Sequence, residues 1–388
     1  MTEKLYDFDA YLKEFTATVI SCEKADNGYK VILDKTAFFP EEGGQYSDRG
    51  RLGNAQVFDV QIEDGGLVHY CSEYLSGEVK GEIDFDRRFH NMQNHTGEHI
   101  ISGLVFSLYG GQNVGFHLGE DEVTCDYDII LSKEQIKSIE YEANKAIYKN
   151  LAISGYYPNK NELKSLNYRS KKEIDGNIRI VTIESIDCCA CCAPHVKSTG
   201  EVGIIKIISQ MKLRSGVRLF IRCGLDGFMD YSLKHDEIKN ISTLLASKSD
   251  ECDTAVEKIN NSLKKTVREL NFLKGKLYEN QIKNIEKAEG NLLIFTEKVD
   301  ADTLRNIVNC AKNKCDNIIC AFSGCDNDGY SYIIYSKNID ISAKARDINT
   351  ALSGRGGGRN PMIQGSLLAT KEEIENYFLP FVSLSLNI

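Results

Sequence analysis

Short runs that alternate apolar and polar positions dominate the first part of the chain and predict β-strands. Residues 16–22 are rich in β-branched side chains, and an Asn-Gly dipeptide separates them from a second such run at residues 29–34. Asn-Gly between two runs of this kind is typical of a β-hairpin. Segment 1–85 is therefore predicted to be a β-rich, barrel-like domain, which is interrupted by a glycine-rich loop at residues 39–45.

Helical periodicity replaces this alternation further along the chain. Residues 87–108 predict one helix, and Ser132 with Gln135 forms a capping box that predicts the start of a second helix, over residues 132–150. Runs with strand-like composition follow at residues 178–183, 202–208 and 217–223. Segment 86–228 is therefore predicted to be an α+β domain.

A proline-free stretch at residues 233–287 places Val256, Leu263, Leu270 and Leu277 at intervals of seven. This spacing predicts a long amphipathic helix or a helical hairpin with coiled-coil character over segment 229–288. Periodicity alone leaves two interpretations open. The helix packs on its own domain, or it forms a spacer that mediates dimerisation.

A new alternation of strands and helices begins near residue 291. It predicts a C-terminal α/β domain over residues 289–388, with a glycine-rich loop at residues 353–359. The whole chain is thus predicted to be an α+β multidomain protein with boundaries at residues 85, 228 and 288.

Composition narrows the class of protein. The chain has 388 residues, of which 42% are hydrophobic and 27% charged, as expected for a globular protein of two or three domains. No apolar run approaches the ~20 residues of a membrane span, and the acidic N-terminus lacks the features of a signal peptide. We therefore expect a cytoplasmic protein without a membrane partner, whose 13 cysteines are reduced and serve as buried thiols or metal ligands. The net charge of -9 argues against nucleic-acid binding unless cations cluster locally.

Two pairs of potential metal ligands share the same spacing. His95 and His99 lie four residues apart in a predicted helix, so both imidazoles face one side. Cys191 and His195 are again four residues apart. Together the two pairs make up a set of four nitrogen and sulfur donors, which is the coordination that Zn²⁺ prefers.

The cysteine cluster around the second pair leaves an alternative open. Cys188 and Cys192 are also four residues apart, and Cys188 and Cys191 have the spacing of zinc knuckles. A separate structural zinc site or a redox pair is therefore a second interpretation. A single site is favoured because the cluster alone supplies too few ligands to close a zinc site. The sequence assigns no role to Cys188, Cys189 or Cys192.

Three motifs carry a resemblance to a known family. The motif NHTGEH, followed by Cys-x-x-x-His and then VKSTGEVGIIKI, resembles the editing domain of alanyl-tRNA synthetase and of the free-standing AlaX proteins. The loop AFFPEEGGQYSDRG resembles the glycine-rich loop of the same family, and GRGGGRNPMIQGS resembles the DHHA1-type domain that ends alanyl-tRNA synthetases. The motifs keep the order of the family. With no aminoacylation domain before them, we expect the long, stand-alone AlaX type.

The resemblance implies hydrolysis of the ester that links a wrong amino acid, typically serine or glycine, to alanine tRNA. It implies that Gln45 contacts the substrate, while Gly43 and Gly44 let the backbone approach it closely. The implied zinc ligands are His95, His99, Cys191 and His195.

The chain departs from the family pattern in two places. The first glycine of the loop is replaced by Glu42, and the two glycines and the threonine that precede the last histidine are replaced by Cys192, Ala193 and Pro194. Thr96 is a further catalytic candidate, because accepting serine over alanine requires a group that pairs with the extra hydroxyl. A bond from Thr96 to its own helix is the alternative. The sequence leaves open whether zinc activates water or only orients the substrate, and whether serine or glycine is preferred.

Local clusters of basic residues predict where tRNA binds. Residues 205–222 contain no Asp or Glu, and basic residues beside an aromatic such as Phe220 suit phosphate and base contacts. Arg355 and Arg359 flank glycines whose N–H groups can meet phosphate, in a region that contacts tRNA in the resembling family. The predicted tRNA-binding residues of the first cluster are Lys212, Arg214, Arg218 and Arg222.

Other functions explain fewer of these motifs. Residues 95–99 also match the H-x-x-E-H pattern of inverzincin metallopeptidases, with Glu98 as the general base, but this leaves Cys191 and His195 unexplained. The chain contains no Asp-His-His, which argues against a DHH-type phosphoesterase. A non-catalytic protein that binds zinc or tRNA is the third alternative. We therefore predict a zinc-dependent aminoacyl-tRNA deacylase that acts in trans, with possible homodimerisation through the helical spacer or the C-terminal domain.

Overall fold

The structure is a computed structural model that describes residues 2–64, 66–119, 122–170, 178–378 and 382–388. It divides into two compact units, Met1–Ile238 and Lys239–Ile388. The predicted mixed α/β, multidomain organisation is confirmed. The finer boundaries at residues 85, 228 and 288 stay a prediction. Among the described residues, every helix is too short or too polar to span a membrane.

The first part of unit one is built from strands that follow the predicted alternation. β2, β3, β7, β6, β5 and β8 close into a barrel in that order. The predicted hairpin joins β2 to β3, with Ala25 paired to Gly28, and inward-facing residues such as Val31 and Val60 form the barrel core. The strands are β1 (Glu3–Lys4), β2 (Glu14–Ala25), β3 (Gly28–Leu33), β4 (Lys35–Thr36), β5 (Gly50–Leu52), β6 (Ala55–Glu63), β7 (Gly66–Cys71) and β8 (Glu78–Ile83).

The rest of unit one surrounds a long buried helix, α1 (Phe85–Tyr109). The Asp84 side chain accepts a hydrogen bond from the backbone N–H of Arg87 at its start, and Gly110 ends it in the left-handed conformation. Sheets β14-β15-β10-β9 and β11-β12-β13 provide its surroundings. The elements are β9 (Asn113–Leu118), β10 (Val123–Tyr127), α2 (Lys133–Lys149), β11 (Ile153–Tyr156), α3 (Lys160–Ser165), β12 (Ile180–Ile183), β13 (Asp187–Ala190), β14 (Ile205–Lys212) and β15 (Val217–Cys223).

Two details explain how α1 is framed. The predicted capping box at Ser132 and Gln135 is present at the start of α2, and the buried face of α2 joins the core around α1. Gly103 lies where α1 approaches the backbone just before β13, since a Cβ there would come within 2.3 Å of the Ile186 carbonyl oxygen. This close approach brings β13 against the helix that carries the two predicted histidine ligands.

The predicted helical segment consists of two helices, α4 (Gly224–Leu245) and α5 (Cys252–Lys283). The last turns of α5 are anchored in unit two, where Tyr278 and Ile282 pack with residues of a neighbouring helix such as Leu304. The heptad positions of α5 are exposed within this chain: Val256 45%, Leu263 60%, Leu270 52% and Leu277 56%.

Unit two also contains a mixed sheet in the order β19-β20-β18-β17-β16-β21. β16 is parallel to both β17 and β21, whereas β18, β20 and β19 continue the sheet antiparallel. The elements are β16 (Asn291–Thr296), α6 (Ala301–Ala311), β17 (Ile318–Cys325), β18 (Gly329–Ser336), α7 (Ile341–Ala351), β19 (Arg355–Arg359), β20 (Met362–Leu367), α8 (Lys371–Phe378) and β21 (Val382–Asn387).

The prediction of a glycine-rich loop at residues 353–359 is wrong for most of its length. Arg355–Arg359 forms strand β19 at one edge of the sheet and pairs with β20. Gly356 faces Gly365 across the pair, and a Cβ on Gly356 would lie 2.4 Å from the Tyr332 hydroxyl oxygen. The glycines therefore permit a close approach within the sheet instead of forming a loop.

Candidate metal centre

Helix α1 holds the first two predicted ligands in a buried environment. His95 and His99 are each only 2% exposed, and their ring centroids lie 5.5 Å apart. One turn of helix separates them, so both rings point to the same side of α1. The sequence spacing alone predicted this arrangement.

The second pair of ligands lies in the loop that follows β13. The Arg179 guanidinium donates to the carbonyl oxygens of Cys191 at 3.2 Å and of Ala193 at 2.9 Å, and these bonds fix the path of the loop. The loop brings the His195 ring to 4.9 Å from His95 and 4.6 Å from His99, measured between centroids. The structure thus brings all four predicted ligands together.

The donor atoms have the spacing that a tetrahedral ion requires. One ligand atom from each of the four residues lies within 4.8 Å of the others. The Cys191 Sγ is 3.5 Å from Nε2 of His95 and 3.4 Å from Nε2 of His195. Zinc bonds of about 2.0 Å to nitrogen and about 2.3 Å to sulfur at a tetrahedral angle give a nitrogen–sulfur separation of about 3.5 Å. The residues present therefore fit a four-coordinate metal ion.

Each histidine is oriented by a hydrogen bond at its other ring nitrogen. Nδ1 of His95 lies 2.8 Å from Oε1 of Gln45, and Nδ1 of His99 lies 2.8 Å from Oδ2 of Asp187. Because these oxygens only accept, each Nδ1 donates, and Nε2 is left with a lone pair for the ion. Thr96 Oγ1 lies 3.0 Å from Nδ1 of His195 and orients that ring in the same way when it accepts. Two of the predicted catalytic residues, Gln45 and Thr96, thus contact predicted metal ligands.

Asp187 is a functional candidate that the sequence analysis missed. Its carboxylate accepts two hydrogen bonds of 2.7 Å from Arg169 as well as the bond from His99. Its side chain is 1% exposed and that of Arg169 is 7% exposed. The position directly before the cysteine cluster was the available signal, but its partners lie far away in sequence. The buried Arg169–Asp187 pair thus holds His99 in place.

The electrostatics of the site favour a metal-ligating thiolate. Burial acts to raise the pKa of the Cys191 thiol, but the His95 and His195 imidazoles hold it well below its ordinary value. Burial lowers the pKa of His195 to about 3, so its imidazole is neutral at neutral pH. A thiolate is the form of cysteine that metal binding requires.

The glycine-rich loop is a tight turn beside this cluster. Glu42 and Gln45 exchange backbone hydrogen bonds of 3.2 and 3.1 Å, and the positive φ angles of Gly43 (66°) and Gly44 (86°) are those of a type I′ turn. A Cβ on Gly44 would meet the Phe116 carbonyl oxygen at 2.3 Å, so only glycine fits there. The turn presents Gln45, whose buried Nε2 has no hydrogen-bond partner among the described residues.

Glu98 of the NHTGEH motif and the other cysteines of the cluster lie outside the set of four predicted ligands. Glu98, the base of the metallopeptidase alternative, accepts a 2.6 Å hydrogen bond from the Ser102 hydroxyl, which also contacts Tyr127. In the cysteine cluster, Cys189 is buried and Cys188 is half-buried on β13. Glu98 therefore belongs to a buried polar network that connects α1 with Tyr127 on β10.

The predicted tRNA-binding cations on β14 and β15 have mixed surroundings. Arg218 forms two 2.7 Å hydrogen bonds with Asp126, and Arg222 lies 3.4 Å from Asp230. The sequence segment contains no acid, but neighbouring elements supply these carboxylates. Lys212, Arg214, Arg355 and Arg359 are exposed.

Two family models match this chain, one in each of the two units. Residues 178–220 match the threonyl and alanyl tRNA synthetase second additional domain, and residues 289–378 match the DHHA1 domain. The first match contains Cys191, His195, all of β14 and the start of β15. The alanyl-tRNA editing protein AlaX-L of Pyrococcus horikoshii is 28% identical, over 96% of both chains. The predicted resemblance to AlaX-type editing proteins is confirmed.

Alanine–tRNA ligases also match over most of this chain. The enzyme of Pyrococcus abyssi is 29% identical over 97% of the chain and that of Ignicoccus hospitalis 27% identical over 92%. The chain spans 43% and 40% of the length of these two ligases. The C-Ala domain of the Aquifex aeolicus alanyl-tRNA synthetase is a solved structure with 21% identity and a TM-score of 0.20, which covers 24% of this chain and 92% of its own. Of these relatives, AlaX-L is covered over nearly its whole length, whereas the two ligases are covered over less than half.

Proposed function

We propose that this protein is an alanyl-tRNA editing enzyme, an aminoacyl-tRNA deacylase. The observation that carries the proposal is the buried cluster of three histidines and one cysteine beside the Gln45 turn, in a chain that matches AlaX-L over 96% of both chains. We further propose that the substrate is alanine tRNA charged with serine or glycine and that the protein acts in trans in the cytoplasm.

The metal is proposed to be zinc. Three imidazoles and one thiolate form a donor set typical of this ion. When bound, zinc would supply positive charge next to the ester and keep the ligands in place. If all four residues bound the ion, its coordination would be closed, and zinc would orient groups around it rather than carry a water.

The residues of the chain itself supply the positioning that ester hydrolysis requires. An aminoacyl ester is activated, so a positioned water and stabilisation of the developing charge are sufficient for hydrolysis. The Nε2 group of Gln45 is a buried donor that has no partner within the described part of the chain, and it would stabilise the oxygen on which negative charge develops. Its Oε1 bond to His95 couples the position of this donor to the metal centre.

The tRNA is proposed to bind at exposed cations away from the candidate metal centre. Lys212 and Arg214 on unit one and Arg355 and Arg359 on unit two are exposed and fit contacts to phosphate. The exposed heptad positions of α5 support a further proposal, that this helix forms a coiled-coil contact between two copies of the chain.

The decisive experiment measures deacylation of alanine tRNA charged with serine, glycine or alanine, together with the metal content of the protein. We expect the seryl or glycyl ester to be hydrolysed about tenfold or more faster than the alanyl ester. Equal inertness toward all three would contradict the proposal. Glu98→Gln separates the metallopeptidase alternative, because it would abolish peptidase activity and leave deacylation largely intact.

A further inference from the structure

The type I′ turn directs a second side chain toward the metal centre. Glu42 and Gln45 form a hydrogen-bonded antiparallel pair, so their side chains project from the same face of the turn. Gln45 uses this direction to reach His95. Glu42 stands where the resembling family has glycine, and it therefore adds a carboxylate to the same face of the turn as Gln45.

Glu42 meets the other position at which the chain departs from the family. The Cys192 thiol faces the Glu42 carboxyl group, and it also lies 3.7 Å from the position of a Cβ on Gly43. Cys192 follows the metal ligand Cys191 directly. Both residues join a small apolar cluster with Tyr6, Phe39 and Ala193. The two departures are therefore in contact, and Cys192 joins them to the candidate ligand Cys191.

Polar atoms without partners are concentrated on this side. Oε2 of Glu42, the hydroxyl of Tyr6 and Nε2 of Gln45 are buried and have no hydrogen-bond partner among the described residues. Tyr6 is 2% exposed and Gln45 is fully buried. A buried polar atom without a partner costs about 1–3 kcal/mol. Three of them next to one metal centre indicate a surface that is completed by a polar ligand.

We propose that Glu42 binds the α-ammonium group of the aminoacyl ester, with Tyr6 as a second acceptor. This inference rests on the proposed deacylase function and adds a substrate-positioning residue to it. The aminoacyl group carries a single cation, its α-ammonium, and an ammonium group offers only donors. A carboxylate oxygen offers only lone pairs, so the two groups complement each other through a charge-assisted hydrogen bond.

The neighbouring groups support this choice of ligand. Gln45 presents a donor, which suits the carbonyl oxygen of the same ester, whereas Glu42 presents an acceptor on the same face of the turn. Arg179 donates from its Nη1 to the backbone carbonyls of Cys191 and Ala193, and its Nε is a further buried donor without a partner among the described residues. The turn thus offers an acceptor for the amino group and a donor for the carbonyl, spaced as a cross-strand pair.

The test compares seryl-tRNA with N-acetyl-seryl-tRNA, in which the ammonium group is converted into a neutral amide. Wild-type protein, Glu42→Gln and the matched control Glu41→Gln are assayed as full-length, metal-loaded chains. Glu41 is a suitable control because it is exposed and accepts a 2.9 Å hydrogen bond from Gln61 outside the centre. We expect wild type and Glu41→Gln to favour the free amine about tenfold or more in kcat/KM, and Glu42→Gln to lose this preference through a raised KM.

An unchanged preference in Glu42→Gln would overturn the inference while leaving the deacylase function intact. Failure of wild type to hydrolyse seryl-tRNA would overturn both. If Glu42→Gln does not fold, inhibition of wild type by serine methyl ester and by its N-acetyl derivative gives a second measurement. We expect serine methyl ester to inhibit at a concentration at least about tenfold lower than its N-acetyl derivative. Equal inhibition by the two compounds would overturn the inference.

Discussion

Replacing Asp187 by Asn should weaken both metal binding and folding. The carboxylate accepts from three N–H groups, two on Arg169 and one on His99. An Asn side chain keeps one acceptor but places an NH₂ donor against one of these donors. Because both partners of the ion pair are buried, Arg169 would be left as a charge that is not neutralised.

The magnitude follows from this burial. Removing one partner of a buried ion pair costs about 3–5 kcal/mol, and loss of a group that orients a metal ligand lowers metal affinity about 10–100-fold. Urea denaturation measures the first effect, and competition with a chromogenic chelator measures the second. Both are measured on the same preparation, so that loss of metal is separated from loss of folded protein.

Asp126 provides a matched control within the same chain. Arg218 pairs with Asp126 through two 2.7 Å bonds, the same geometry as Arg169 with Asp187. The Arg218 and Asp126 side chains are 35% and 18% exposed, however, so Asp126→Asn should cost only about 0–1 kcal/mol. The reasoning is refuted if Asp187→Asn binds metal within twofold of wild type, or if the two substitutions cost the same stability.

Three further predictions test other parts of the account. Burial lowers the pKa of His69 to about 4 from an ordinary 6.5. Because only the unfolded chain binds the proton between these values, the free energy of unfolding should fall by about 3 kcal/mol as the pH drops from 6.5 to 4. His69→Gln should flatten this part of the profile of unfolding free energy against pH, measured with urea. Thr96→Val removes the oxygen that lies 3.0 Å from His195, and should cost about 1–3 kcal/mol and lower the metal affinity measured by chelator competition; a neutral effect would show that Thr96 does not orient the ring. Arg214→Ala should weaken tRNA binding in filter assays and reduce its salt dependence more than Arg218→Ala does, because Arg218 is already paired; an equal effect would contradict this.

The sequence predicted the parts of the site that depend on local geometry. His95 and His99 are four residues apart on one helix, and the hairpin and the capping box also depend on neighbouring residues. The sequence also favoured a single site for the two pairs of ligands, but the contacts that orient these ligands come from residues distant in sequence and were not predictable from spacing. Asp187 meets His99 across 88 positions, and Gln45 meets His95 across 50. No periodicity records such contacts, because tertiary packing alone creates them.

Tertiary structure also changes the meaning of two sequence patterns. The segment around Arg218 contains no acid, yet Asp126 on β10 reaches Arg218 from 92 positions away. Glycines at residues 356–358 suggested a loop, but pairing with β20 makes them part of an edge strand. Intrinsic preference is weak in strands, where the neighbouring strand decides the outcome.

The most direct test of the metal-dependent editing site is the double substitution His95→Ala with Cys191→Ala. It removes one ligand from α1 and one from the loop after β13, while leaving the proposed tRNA-binding cations in place. Metal content and deacylation of seryl-charged alanine tRNA are measured on the same protein. We predict that metal content falls from about one ion per chain to near zero and that deacylation falls to the uncatalysed rate. Deacylation at the wild-type rate by the metal-free variant would contradict the account.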